Sequence, residues 1–214
     1  MSERTKWDTV PIAAERSFRR LRNDVIWLHF AWENFLALYG TKESVDLLNR
    51  TASTFFVQLQ EYYLGGIVLA VTRLLDPAVT KLWTNHSLEV FIELIDVPAH
   101  ARHAVALRTR LKRMKKLQRP FRTLRDKRFS HTSPDHLEAR FPLPRRRVQA
   151  MLRALTEFVS AVGWHFERRR IYLPLETPPM SSGGALVWVL RRADEYGILK
   201  ARETVRLRRR LKKG

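Results

Sequence analysis

The chain has 214 residues and no cysteine, and 45% of it is apolar, including 11 Phe and 6 Trp, which excludes a disulfide scaffold, thiolate metal sites and disorder throughout. Its formal charge of +19 is concentrated in two blocks: residues 101–128 hold 12 Lys/Arg against Asp126 alone, and residues 198–214 hold 8 against Glu203. Two focal basic blocks in an otherwise nearly balanced chain point to a polyanionic partner, with nucleic acid favoured over a merely solvated helix face.

The start, Met1-Ser2-Glu3-Arg4-Thr5-Lys6, has no apolar core of the signal-peptide kind. The longest apolar stretch, residues 64–72, falls far short of the roughly 20 residues that a membrane-spanning helix needs. A cytoplasmic protein with no membrane partner is expected.

Helical periodicity dominates the rest. Phe18, Leu21, Val25, Leu28, Trp32, Phe35 and Tyr39 alternate at spacings of three and four, so they draw one seam along a long first helix that stops at Gly40. Thr41 is a candidate cap for a following helix, with Val45 and Leu48 inward. A second long apolar segment, 53–75, meets Asp76-Pro77, a strong terminator. Gly65-Gly66 inside it predicts close packing or a local break. Ser87 then caps a helix carrying Leu88, Phe91, Ile92 and Ile95, and Pro98 opens the next, with Leu107, Leu111 and Met114 inward. Pro120 predicts a kink or restart before Phe121, Leu124 and Phe129. Residues 132–144, with three prolines, read as a loop. Val148, Met151, Leu155, Val159, Val162 and Phe166 form a further seam, and Ile171-Tyr172-Leu173 suits a short extended piece. A linker of Pro174, Pro178, Pro179 and Gly183-Gly184 precedes a last helix from about Ala185, which includes Leu186, Val189 and Leu190, and then a basic tail. No strand series or internal repeat is visible. The reading is an all-α antiparallel bundle over 1–173, with a linker, extra C-terminal helix and basic tail over 174–214.

The most informative stretch is Arg125-Asp126-Lys127-Arg128-Phe129-Ser130-His131. Histidine exchanges a proton near neutral pH, and arginine offers a fixed planar fork of donors to phosphate oxygens. Together they form a minimal kit for cleaving an RNA backbone: one group helps the 2′-hydroxyl attack, and the other stabilises the crowded transition state. On a regular helix, residues six apart point about 120° from each other. The helix must therefore end near Ser130, or the Arg125 side chain must bend round, or two copies must share the site. Lys116, Arg119, Arg122, Lys127 and Arg128 are the candidate RNA-binding side chains of the same basic segment. From residue types alone, the pair also suits a helix that only holds phosphate.

RDKRFSH resembles the Arg-(polar)-x-His motif of the HEPN superfamily, helical proteins that include many prokaryotic RNase toxins. Within that superfamily the chain is most similar to the AbiU2-like branch, linked to abortive infection. The aromatic first helix, the segment Tyr63 to Pro77 ending TRLLDP, and Asn85-His86-Ser87-Leu88-Glu89 before the basic helix carry the likeness, over roughly 15–170. The resemblance implies an HEPN-like bundle in which Arg125 and His131 are catalytic and Asp126 orients one of them. It also implies a homodimer with a composite, metal-independent RNase site and no cofactor, acting in phage defence or a toxin–antitoxin system with an antitoxin or defence-system partner. Some HEPN toxins carry a modifiable tyrosine two residues after the histidine; Ser133 stands there, so the likeness does not bring that control to this chain.

Two other functions remain open on the residues: a non-catalytic nucleic-acid-binding or regulatory bundle, and a structural partner whose basic faces meet an acidic protein. His100-Ala101-Arg102-His103 and His131/His136 lack the carboxylates or cysteines of a metal site, so no metal is expected. Arg73 and Asp76 read as a helix-ending ion pair or cap. Gly65-Gly66 and Gly183-Gly184 lack the strand–loop–helix setting of a phosphate loop. The tail's two leucines, Leu207 and Leu211, give too little apolar face to anchor on lipid.

Overall fold

A computed structural model describes residues 6–80, 83–129, 143–169, 171 and 182–211. The chain is all-α in class. Its helices are α1 (Ile12–Tyr39), α2 (Lys42–Leu74), α3 (Leu88–Ile95), α4 (Ala101–Leu124), α5 (Arg145–Glu167) and α6 (Gly183–Leu211). They form two compact units that interleave along the chain. Unit 1 takes residues 1–30 and 64–175, and unit 2 takes 31–63 and 176–214. The composition change near residue 174 thus lies beside one junction, and residues 31–63 join the C-terminal helix's unit.

Unit 1 is built on aromatic packing. Trp7, in a 3₁₀ turn over Lys6–Thr9, stacks on Phe166 with ring centroids 4.1 Å apart and leans on Phe18 at 5.5 Å. Phe18 meets Phe91 at 5.8 Å, and Phe91 meets Phe158 edge-on at 6.3 Å. The chain of rings joins the N-terminal turn, α1, α3 and α5, and such pairs each contribute about 0.5–1.5 kcal/mol beyond their buried area. The expected α5 seam is buried throughout, with Leu152 and Phe158 added to it. Pro98 opens a 3₁₀ turn, Pro98–His100, that leads into α4.

Several expectations change. α2 does not break at Gly65-Gly66, and nothing lies within 4 Å of a side chain built at Gly66. Its break is at Ala52 (φ −158°, ψ 71°), so the two predicted helices are joined end to end there. Ser87 occupies the N-cap position of α3 but makes no side-chain capping bond. A minimal antiparallel pair, β1 (Val79–Thr80) with β2 (Trp83–Thr84), follows α2. Four residues are too few to leave a period-2 signal. α4 runs through Pro120 without restarting, because Gln118, Phe121 and Leu124 are buried on either side of it and packing outweighs the local penalty. The predicted loop at 132–144 and the extended piece at 171–173 lie almost wholly outside the described residues.

Unit 2 has a smaller core of Leu38, Leu47, Leu48, Phe56 and Val187, flanked by Tyr39, Leu59, Tyr63 and Leu190. The Thr41 hydroxyl accepts from the Ser44 amide at 3.2 Å and caps α2 as expected. Leu47 rather than Val45 joins Leu48 inside. α6 begins two residues earlier than Ala185 and runs on to Leu211, so the basic tail continues the helix. The Gly183 amide donates to Asn34 Oδ1 at 2.6 Å, and a Cβ at Gly183 would lie 2.9 Å from the Asn34 carbonyl, an approach only glycine permits. Leu186 and Val189 of α6 are exposed, whereas Val187 is buried.

Candidate active site

The site lies in unit 1, where the ends of α2 and α4 meet. Gln118 on the buried face of α4 donates from Nε2 to the Thr72 carbonyl at 3.2 Å. The same carbonyl, in the last turn of α2, also accepts from the Leu75 amide at 3.2 Å. The Gln118 bond fixes how far α4 has advanced when it reaches Arg125. There the α-helix stops, and Arg125–Phe129 wind as a π turn. Such widened turns recur at functional sites because they re-aim side chains that a regular helix would point elsewhere. Within Arg125–Phe129 the side chains therefore do not follow the 3.6-residue spacing of an α-helix.

Two carboxylates grip Arg125. Its Nε donates to Asp126 Oδ1 at 2.8 Å, and its Nη1 lies 3.5 Å from Asp76 Oδ1, just beyond the end of α2. The Arg125 side chain is 22% exposed. Partly exposed pairs of this kind contribute only about 0–1 kcal/mol each to stability, so their main effect is orientation. A guanidinium has five N–H donors, and these two contacts leave several for an incoming anion.

Unit 1 holds a second charged group. Arg73 lies 3.4 Å from Asp24 of α1, so Arg73 and Asp76 pair with other parts of the chain rather than with each other. His86 sits within electrostatic reach of Arg20, Asp24 and Arg73. Burial lowers its pKa first; Arg20 and Arg73 lower it further and Asp24 opposes them. Its Nε2 is buried without a hydrogen-bond partner among the described residues. Sequence reading passed over His86, Asp24 and the Asp76–Arg125 contact. The signal was faint: His86 lies inside one quoted segment and Asp76 inside another, with nothing in spacing to join them.

The remaining predicted residues divide clearly. Lys116, Arg119 and Arg122 are exposed on the outer face of α4 and make no ion pair among the described residues, and Lys127 is exposed on the π turn. Arg128 is half-buried. Other α4 cations are engaged: Arg108 pairs with Asp96 at 2.5 Å and Lys115 with Glu89 at 3.0 Å. His131 lies outside the described residues, as does His136. Among the described residues, no group of three or more His, Asp or Glu side chains is placed to hold a metal ion, and no helix is long and apolar enough to cross a membrane.

A family model described as AbiU2, of the HEPN type, matches residues 12–178. The chain belongs to the AbiU2 HEPN family. That match takes in α1 to α5, the RDKRFSH motif and every residue of the two charged groups above. The AbiU2 assignment relates the domain to abortive infection. No curated protein and no solved structure matches the chain significantly.

Proposed function

We propose that this AbiU2-type HEPN chain is an endoribonuclease of a defence or toxin–antitoxin system, acting in the cytoplasm as a homodimer and without a metal or other cofactor. Arg125 stabilises the charge that builds on the scissile phosphate, His131 exchanges a proton with the reacting RNA, and Asp126 holds Arg125 in line. Lys116, Arg119, Arg122, Lys127 and Arg128 take neighbouring phosphates. The observation that carries the reading is Arg125 itself. It is fixed by Asp126 and Asp76 with donors to spare, at the end of a helix whose outer face offers exposed cations. An antitoxin or another defence component is the expected partner that restrains it.

The test is to incubate purified protein with total cellular RNA in the presence of chelator, beside His131→Ala. Cleavage by the parent and loss of at least about 100-fold in the variant are expected, with RNA binding nearly unchanged. Cleavage by His131→Ala at the parent rate would sink the assignment of that residue. The double carboxylate grip also suits a second reading, a non-catalytic RNA-binding bundle in which Arg125 only holds phosphate. RNA binding by both proteins without cleavage by either is the result that selects it. In both readings each phosphate neutralised contributes roughly −0.7 to the log–log salt slope on single strands.

A further inference from the structure

Between α3 and α4 of unit 1 lies a cavity of about 350 Å³. That volume is near the lower end of the roughly 300–1,000 Å³ of small-ligand sites and leaves room for one nucleotide. Ile92 and Leu111, 1% and 5% exposed, give it an apolar floor. Ion pairs between the two helices hold its walls. Lys115 Nζ donates to both oxygens of Glu89, at 3.1 and 3.0 Å, and Arg108 reaches Asp96 at the end of α3. Glu89 also accepts from the Ala78 amide at 3.2 Å, so its oxygens are engaged. Glu93 on α3 and Lys112 on α4 line the same cavity, and both are exposed and make no ion pair among the described residues.

We infer, building on RNA as the substrate of the proposed function, that this cavity holds one guanine nucleotide of the strand that Arg125 engages. A ligand here must offer an anion to Lys112, hydrogen-bond donors to Glu93 and a flat apolar body to Ile92 and Leu111. A nucleotide whose base carries donors on its Watson–Crick edge meets all three needs. Guanine presents N1–H and an N2 amino group side by side, a pair that a carboxylate accepts with both oxygens. The other bases present one donor group on that edge.

The course of α4 supplies the strand. Arg108, Lys112, Lys115, Arg119 and Arg122 follow one another at spacings of four, three, four and three, so they lie along one edge of the helix. Lys112, Arg119 and Arg122 are exposed there and unpaired among the described residues. This edge leads from the cavity to Arg125. The advance from Lys112 is about 20 Å, or about six nucleotides at a stacked spacing of ~3.4 Å. An amino acid or a free nucleotide would satisfy Glu93 and Lys112 but would make no use of the cations farther along. Cavity and track belong to one α4, so the assignment is the same whether Arg125 works alone or opposite a second copy.

The experiment measures binding to the full chain by fluorescence anisotropy at one fixed salt concentration. A ten-nucleotide 2′-O-methyl oligouridine, which cannot be cleaved, is compared with the same oligomer carrying guanine at the third or the eighth position. The parent should bind one guanine oligomer at least about tenfold more tightly than oligouridine. Inosine, which lacks the 2-amino group, should lose most of that preference. Glu93→Gln, with the parent's melting temperature, should bring the guanine and uridine affinities together. Lys112→Ala should weaken every oligomer and lower the log–log salt slope by roughly 0.7. Guanosine monophosphate should compete at least about tenfold more weakly than the guanine oligomer. Equal affinity of the two would make the cavity a site for a free nucleotide and overturn the RNA assignment. Equal binding of guanine and uridine oligomers, no binding of either, or a preference that survives Glu93→Gln also overturns the inference. Cleavage of the unmodified guanine RNA by the parent is read separately. Its failure counts against the RNase chemistry, while anisotropy still decides what the cavity holds.

Discussion

The two units spend their aromatic residues differently. In unit 1, Phe18, Phe91, Phe121 and Phe158 are fully buried, and the N-terminal turn is stacked into the same core through Trp7. In unit 2, Leu38, Leu47, Leu48, Phe56 and Val187 make a smaller cluster and Trp32 is also buried, while Phe55, Tyr62, Trp188 and Tyr196 stand 58%, 77%, 57% and 67% exposed; unit 1 exposes Trp27 and Trp164. The difference is one of packing: large rings closely packed across three elements hold unit 1, with its Asp76–Arg125 pair, more firmly than the smaller cluster holds unit 2.

That contrast can be broken or sharpened by measurement. Phe91→Ala should have the largest effect, a loss of about 3–5 kcal/mol in denaturant unfolding, because the cavity would open among rings from α1, α3 and α5. A loss below about 1 kcal/mol would mean that unit 1 is not the rigid half. Leu48→Ala should cost about 2 kcal/mol, near the lower end for such truncations, since the small cluster around it can relax. Hydrogen exchange should then quicken in 31–63 and α6 and leave α4 and α5 protected. Equal loss of protection in both units would erase the distinction.

Acid should act on unit 1 alone, with a smaller effect that grows as pH falls. All seven histidines belong to its residue ranges. His103 and His165 stack with ring centroids 4.0 Å apart, and burial first, then neighbouring His and cationic groups, push both pKa values down to about 4. His165 Nε2 lies 3.0 Å from His100 Nδ1, and His100 Nε2 lies 2.6 Å from Thr9 Oγ1, which donates to the Lys6 carbonyl. With that hydroxyl proton spent, His100 donates to Thr9 and accepts from His165, a chain that requires neutral rings. An unfolded chain protonates His103 and His165 near pH 6.5, whereas the folded one resists until about pH 4. The contribution is therefore complete above pH 6.5 and is lost as pH falls toward 4. Melting curves between pH 7 and 4 should show that decline, with exchange quickening first around residues 6–9. A melting temperature unchanged across that range would remove the histidine cluster from the account.

How far sequence reaches differs between fold and site. The seams of α1 and α5 were legible because 3.6-residue periodicity is a local property, and the caps at Thr41 and Pro98 were legible because they satisfy or lack donors within one turn. Trp7 was not, since a single aromatic in a 3₁₀ turn has no period. The π turn at Arg125 was not, since no local period or breaker residue marks it. Arg125 and Asp126 are neighbours in sequence, so their pairing needed no fold to suggest it.

By itself, then, the sequence determined an all-helical chain, the basic helix ending in RDKRFSH, and the AbiU2 HEPN likeness carried by segments in a fixed order. Tertiary structure alone decided which charges meet. Asp24 reaches Arg73, Asp76 reaches Arg125, and Asn85 clasps the Pro77 carbonyl. Those residues come from α1, the end of α2 and the turn before α3. A charge acts over a few ångströms whatever the distance along the chain, and only folding sets the distance in space.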